Sequence, residues 1–163
     1  MPRDDFETRL VPSLLERLLD DDPDTSREAS GDRYYGVRQM KAAVARDMEE
    51  LLNARREALT ELPSEFVEAN KSLLVYGLPD FTSFNLLDSR DCNRIKRAIE
   101  ASIARFEPRL ERVRVSMATP DRNDRTLRFK IDAMLRIEPA REPVEFDTVL
   151  HLATQAYSVR GQD

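Results

Sequence analysis

Among side chains able to do chemistry, carboxylates dominate this sequence: 31 residues are Asp or Glu, against one cysteine and one histidine. Two carboxylates suffice for glycoside hydrolysis, one as general acid and one as nucleophile or base. With so many acids a chance pair is easy to find, and most fall on polar faces of amphipathic segments, where a solvated role is usual. A sugar cleft is ordinarily lined by aromatic rings, yet the chain has no Trp and only 7% aromatic residues. Hydrolysis is therefore not expected. Cys92 falls early in a predicted helix with no histidine nearby in sequence, so an inert thiol is expected. His151 alternates onto the polar face of a predicted strand, which makes it a surface histidine. One histidine cannot build a histidine-rich metal site, four scattered glycines cannot form a phosphate loop, and no GxSxG occurs. The expectation is a protein with no catalytic residues, no metal and no cofactor.

One charged pair stands out. In "FEPRL" Glu107 and Arg109 flank Pro108, after a convincing helix and before a convincing strand. Arg109 near a helix C-terminus complements the helix dipole, and Pro108 stops the helix. Glu107 sits at the wrong end of that dipole, so something else must satisfy it. Capping, a surface salt bridge, catalysis and docking to a partner are all compatible with the residue types. A rigid acid–proline–base unit suits docking against a complementary pair.

Periodicity places the elements that hold this unit. "LVPSLLERLLDD" carries Leu14, Leu15, Leu18 and Leu19 on one helical face, and Pro12, Ser13 and Glu16 match a helix start with a capping box. "DDDPDTSREASGDR" is polar and turn-rich, and reads as a connector. Residues 1–33 thus read as an arm ahead of a domain at 34–159, and because a two-turn helix is marginal alone its leucine face must pack on this domain or on a partner. "YYGVRQMKAAVARDMEELLNARRE" is the clearest helix, with a stripe at Val37, Met40, Val44, Met48, Leu51 and Leu52. From 58 to 88 the signal is mixed. Pro63 and Ser64 suggest a short helix through Phe66 and Val67, while "SLLVYGLPDF" reads as helix or strand leading to a turn at Gly77 with a buried approach. "SRDCNRIKRAIEASIARFEP" is a second helix, capped by Asp88 or Ser89, with Ile95, Ile99, Ile103 and Phe106 inward; Pro108 ends it near Glu107.

Beyond Pro108 the period switches to two. Val113, Val115 and Met117 alternate inward; so do Leu127, Phe129, Ile131, Ala133, Leu135 and Ile137, and then Val144, Phe146, Thr148, Leu150 and Leu152. "TPDRND" and "EPAREP" supply turns. Three strands joined this way predict an antiparallel meander with one face covered by helices. The fold class is α+β, with N-terminal helices packed on one face of a small, mainly antiparallel C-terminal sheet.

Composition bounds the setting. With 163 residues the chain can bury a real core, and 35% charged residues predict a soluble domain. A net charge of −5 argues against general nucleic-acid affinity. The lone Cys92 fits a reducing compartment, the charged "MPRDDFETRL" has no apolar signal region, and no stretch suits membrane insertion. A cytoplasmic location is expected.

Four stretches in order, "SLLERLLDD", "VARDMEELLNARR", "SLLVYGLPDF" and "IEASIARFEPRL", resemble the TssE subunits of type VI secretion baseplates, which are similar to the baseplate wedge protein of contractile-tailed phages. The resemblance covers roughly residues 10–157; Met48 and Ala54 stand where the family commonly has Leu and Thr. It implies a structural subunit that joins TssF, TssG and, through them, TssK, and that nucleates the TssB–TssC sheath by strand addition. It also implies that Glu107, Pro108 and Arg109 contact the wedge core. Leu14, Leu15 and Leu18 of the arm are expected to bind partners too. Some members carry an inherited "lysozyme" label, which makes a muramidase-type hydrolase the alternative.

Overall fold

The computed structural model describes residues 10–18, 35–56, 63–85, 88–118, 126–137, 140–151, 154 and 156–162. Helices α1 (Leu14–Leu18), α2 (Val37–Asn53) and α3 (Ser89–Phe106) precede strands β1 (Leu110–Met117), β2 (Thr126–Ile137), β3 (Ala140–His151) and β4 (Ala156–Gly161). The strands form one antiparallel sheet in the order β1-β2-β3-β4. This is the α+β class expected from the switch in period, with one correction: the meander has a fourth strand. Its period-two stretch is short, and only Tyr157 and Val159 of β4 face the core. Leu152, expected on the inner face of β3, lies outside the described residues, as do the connector 19–34 and the turn 119–125.

The helix stripes and the strand alternation meet in one core. Met40, Val44, Met48, Leu51 and Leu52 of α2 are buried with Ile95, Ile99 and Ile103 of α3. They face Leu127, Phe129, Ile131, Leu135 and Phe146 of the two central strands. Each such side chain contributes about 1.5–3 kcal/mol when fully buried, so this interdigitated layer carries most of the stability. α3 packs against β1 and α2 against β4, so the helices lie over opposite margins of one face. Asp88 caps α3 by accepting from Arg90 N at 2.8 Å, as its residue type predicts.

Between the two long helices the described residues, 54–56 and 63–85, run as turns and short 3₁₀ segments. Phe66 and Val67 belong to no helix; single 3₁₀ turns form instead at Ala69–Lys71 and Leu73–Val75. Leu73 and Leu74 are exposed, so their apolar run is not a core element. At Gly77 the expected buried approach is present, with φ +90°. A Cβ there would lie 2.2 Å from the Ala54 carbonyl oxygen, so only glycine fits. That approach lets Leu78 N donate to Ala54 O at 2.9 Å and Arg56 N to Leu78 O at 2.8 Å, fastening the loop to the end of α2.

β1 departs from simple alternation. Its register slips between Glu111 and Arg114, and Arg112 adopts φ +55°. This β-bulge places two residues opposite one, and leaves Val113 half-buried rather than inward like Val115. No helix among the described residues is long and apolar enough to cross a membrane.

A candidate protein-docking site

α3 stops where Pro108 requires it: Glu107 N closes the last turn onto Ile103 O at 2.8 Å, and the chain then turns into β1. The carboxylate of Glu107 is buried, with its side chain only 5% exposed. Arg109 is what satisfies it. Arg109 Nε donates to Glu107 Oε1 at 2.7 Å, its Nη2 to Oε2 at 2.5 Å, and its backbone N to Oε1 at 3.1 Å. This is a forked, charge-assisted pair closed over a single proline.

The fork belongs to a longer ladder. Arg109 Nη2 also donates to Asp47 Oδ2 on α2. Asp47 Oδ1 lies 3.7 Å from Arg46 Nε, and Arg46 Nη2 lies 3.2 Å from Glu16 Oε1 on α1. Acid and base alternate along Glu16, Arg46, Asp47, Arg109 and Glu107, joining α1, α2 and the α3–β1 turn. Burial works to lower the Arg109 pKa, but hydrogen bonds and charge from Glu107 and then Asp47 outweigh it and raise it. The guanidinium is permanently charged. Its Nη1 is buried and has no hydrogen-bond partner among the described residues.

A groove of about 310 Å³ opens beside this unit, lined by Ser13, Asp47, Leu51, Tyr76, Phe106 and the Glu107–Arg109 turn. Tyr76 and Phe106 meet edge to face at 5.1 Å. Burial, then the charges of Glu50, Asp47 and Glu107, push the Tyr76 hydroxyl above its ordinary pKa and keep it a neutral donor. The groove therefore combines apolar side chains, a phenol and a part-exposed, ion-paired arginine.

The arm reaches the same place. Ser13 N donates to Glu16 Oε2 at 2.7 Å and Glu16 N to Ser13 Oγ at 3.3 Å, the capping box expected from their spacing. Leu10 and Tyr35 exchange backbone hydrogen bonds at 2.9 and 2.7 Å, and Pro12 is buried. Leu14 and Leu18 are 71% and 72% exposed and stay out of the core; the side chain of Leu15 lies outside the described residues.

Of the sequence candidates, the structure brings Glu107 and Arg109 together, leaves Pro108 exposed beside them, and keeps Leu14 and Leu18 solvent-facing. Asp47 was missed. Its signal was its position three after Val44 and four before Leu51, an acid at stripe spacing. Cys92 is half-buried, with its thiol pushed up by burial, and His151 is exposed.

Comparison with known proteins gives the chain's relatives. Residues 38–140 match the family described as baseplate wedge protein gp25. Anti-adapter protein IraD of Salmonella paratyphi A is 35% identical over 75 residues, and that of Salmonella arizonae 36%. Each match covers 46% of this chain and 56% of the relative, so the chain spans little more than half the length of these curated relatives. Among solved structures, a chain of the baseplate complex from the type VI secretion system is 20% identical, with a TM-score of 0.45, covering 69% of this chain and 94% of that one.

Proposed function

The chain belongs to the baseplate wedge protein gp25 family, and from that membership we propose that it is the TssE-type subunit of a type VI secretion baseplate. It binds the wedge core (TssF and TssG, and TssK through them) and starts polymerisation of the TssB–TssC sheath from an edge of its own sheet. It acts in the cytoplasm, at the face of the envelope-spanning apparatus.

One observation carries the docking half of this reading. The Glu107–Pro108–Arg109 turn is held rigid from within by the Glu107–Arg109 fork, yet it lines an open groove with Pro108 exposed and the Arg109 side chain 24% exposed. Because Glu107 already neutralises the guanidinium, the partner need not bring a charge; a backbone carbonyl or an amide oxygen suffices. The exposed Leu14 and Leu18 lie on a helix tied to the same ladder, so arm and turn present one composite surface.

Arg109→Lys tests this with the fold preserved. Lysine keeps the charge near Glu107 and Asp47 but loses the planar fork and the second nitrogen. Co-purification with TssF and TssG should fall sharply while the melting temperature changes little. Undiminished co-purification from a folded Arg109→Lys protein would remove the turn from the interface. A peptidoglycan clearing assay on the purified protein separates this reading from a muramidase.

A further inference from the structure

The sheet has two edges, and the helices treat them differently. On β4 the edge is sealed by α2. Asn53 Nδ2 donates to Tyr157 O at 2.9 Å, and Asn53 Oδ1 accepts from Tyr157 N at 2.9 Å. Two residues on, Glu49 Oε2 accepts from Val159 N at 2.8 Å. Successive outward-facing backbone groups are thus already occupied, and an added strand would have to displace a two-point amide clamp and a charged acceptor.

On β1, among the described residues, the corresponding contact is a single one: Glu100 Oε1 of α3 accepts from Val115 N at 2.8 Å. Several cations lie around that contact, with Asp132 of β2 opposite Arg114 across the ladder. Lys96 and Arg97 lie one turn before Glu100 on the same side of α3, and Arg112 and Arg114 are exposed on the strand itself. This concentration occurs on a chain of net charge −5. Ala101 and Ala104 of α3 are exposed and short, which leaves room beside the edge.

We propose that β1 is the edge that receives a partner strand, that this strand alternates apolar with acidic side chains, and that Glu100 holds the place of its backbone carbonyl until it arrives. The inference rests on the reading that sheath recruitment uses a sheet edge. The bulge at Arg112 limits pairing to Val113–Met117. Within that span, partner residues on the inner face extend the row of Val115 and Met117, and those on the outer face meet Arg114 and Ser116, with Arg112 at the bulge where the pairing ends. The released Glu100 carboxylate has Lys96 and Arg97 one turn away as new partners.

The test uses the full chain and purified TssB–TssC as the probe. Val115→Pro removes the outward N–H without touching the β2 ladder, and Val159→Pro does the same on β4. Binding should be lost in Val115→Pro and kept in Val159→Pro. The reverse pattern overturns the choice of edge while leaving strand addition standing. Binding unchanged in both overturns strand addition itself, and this proposal with it. Three side-chain substitutions decide the matter if a proline variant does not fold. Neutralising the strand cations in Arg112→Asn/Arg114→Gln should weaken binding about tenfold. Removing the competing carboxylate in Glu100→Ala should tighten it about threefold to tenfold. Affinity unchanged by all three substitutions overturns the proposal, and a concentration-dependent dimer of Glu100→Ala that excludes TssB–TssC assigns the edge to a second copy instead.

Discussion

At the scale of single residues, the decisive fact is that Glu107 is buried with its counter-charge two residues away. A surface salt bridge contributes about 0–1 kcal/mol, but removing one partner of a buried pair typically costs about 3–5 kcal/mol, because a carboxylate is left unpaired out of water. Arg109→Ala strands Glu107 close to Asp47, and Arg109 is itself only 24% exposed. We expect Arg109→Ala to lose about 3 kcal/mol in urea denaturation, and Glu107→Gln/Arg109→Met to recover most of that. A loss below about 1 kcal/mol would return the pair to the surface class. Gly77 is the other sensitive position. Gly77→Ala combines an unfavourable φ of +90° with a contact at 2.2 Å, so it should cost about 3 kcal/mol or more in the same measurement. A nearly neutral Gly77→Ala would mean that the loop can detach from Ala54 without consequence to the core.

At the scale of elements, the arm is less independent than its polar connector suggests. α1 has only five residues and no helix of that length is stable alone, yet it is held by the Glu16–Arg46 pair, the buried Pro12 and the Leu10–Tyr35 bridge. Arg46 is 46% exposed at its side chain, so the ion pair is discounted for screening and adds little. Deleting residues 1–18 should leave a folded domain whose melting temperature is lowered by about 2–8 °C, from a loss of about 1–2 kcal/mol. An unchanged melting curve would show that the packing of α1 contributes nothing to the domain. The same deletion should abolish co-purification with TssF and TssG, since it removes Leu14 and Leu18 together with Ser13 of the groove wall.

At the scale of the whole molecule, α2 and α3 share one core with all four strands, so neither layer has a hydrophobic interior of its own. Unfolding followed by helical circular dichroism and by tyrosine fluorescence should give coincident transitions, since Tyr157 lies in that core. Helices melting ahead of the sheet would contradict a single core. Much of this architecture was legible beforehand. The stripe from Met40 to Leu52, the isoleucines of α3, and the alternation from Leu127 to Ile137 each bury the face that their spacing assigned, because helix and strand periods are local properties of the backbone. So were the caps at Asp88 and at Ser13 with Glu16, whose partners sit two or three residues away. The alliance of Asp47 with Arg109 spans 62 positions, and the sealing of β4 by Asn53 spans 104. Those contacts exist only once the core has set α2 against the sheet. A side chain's reach is a few ångströms, so sequence can name an acid and a base, while tertiary packing alone decides which of them meet and which backbone groups of an edge strand a helix side chain covers.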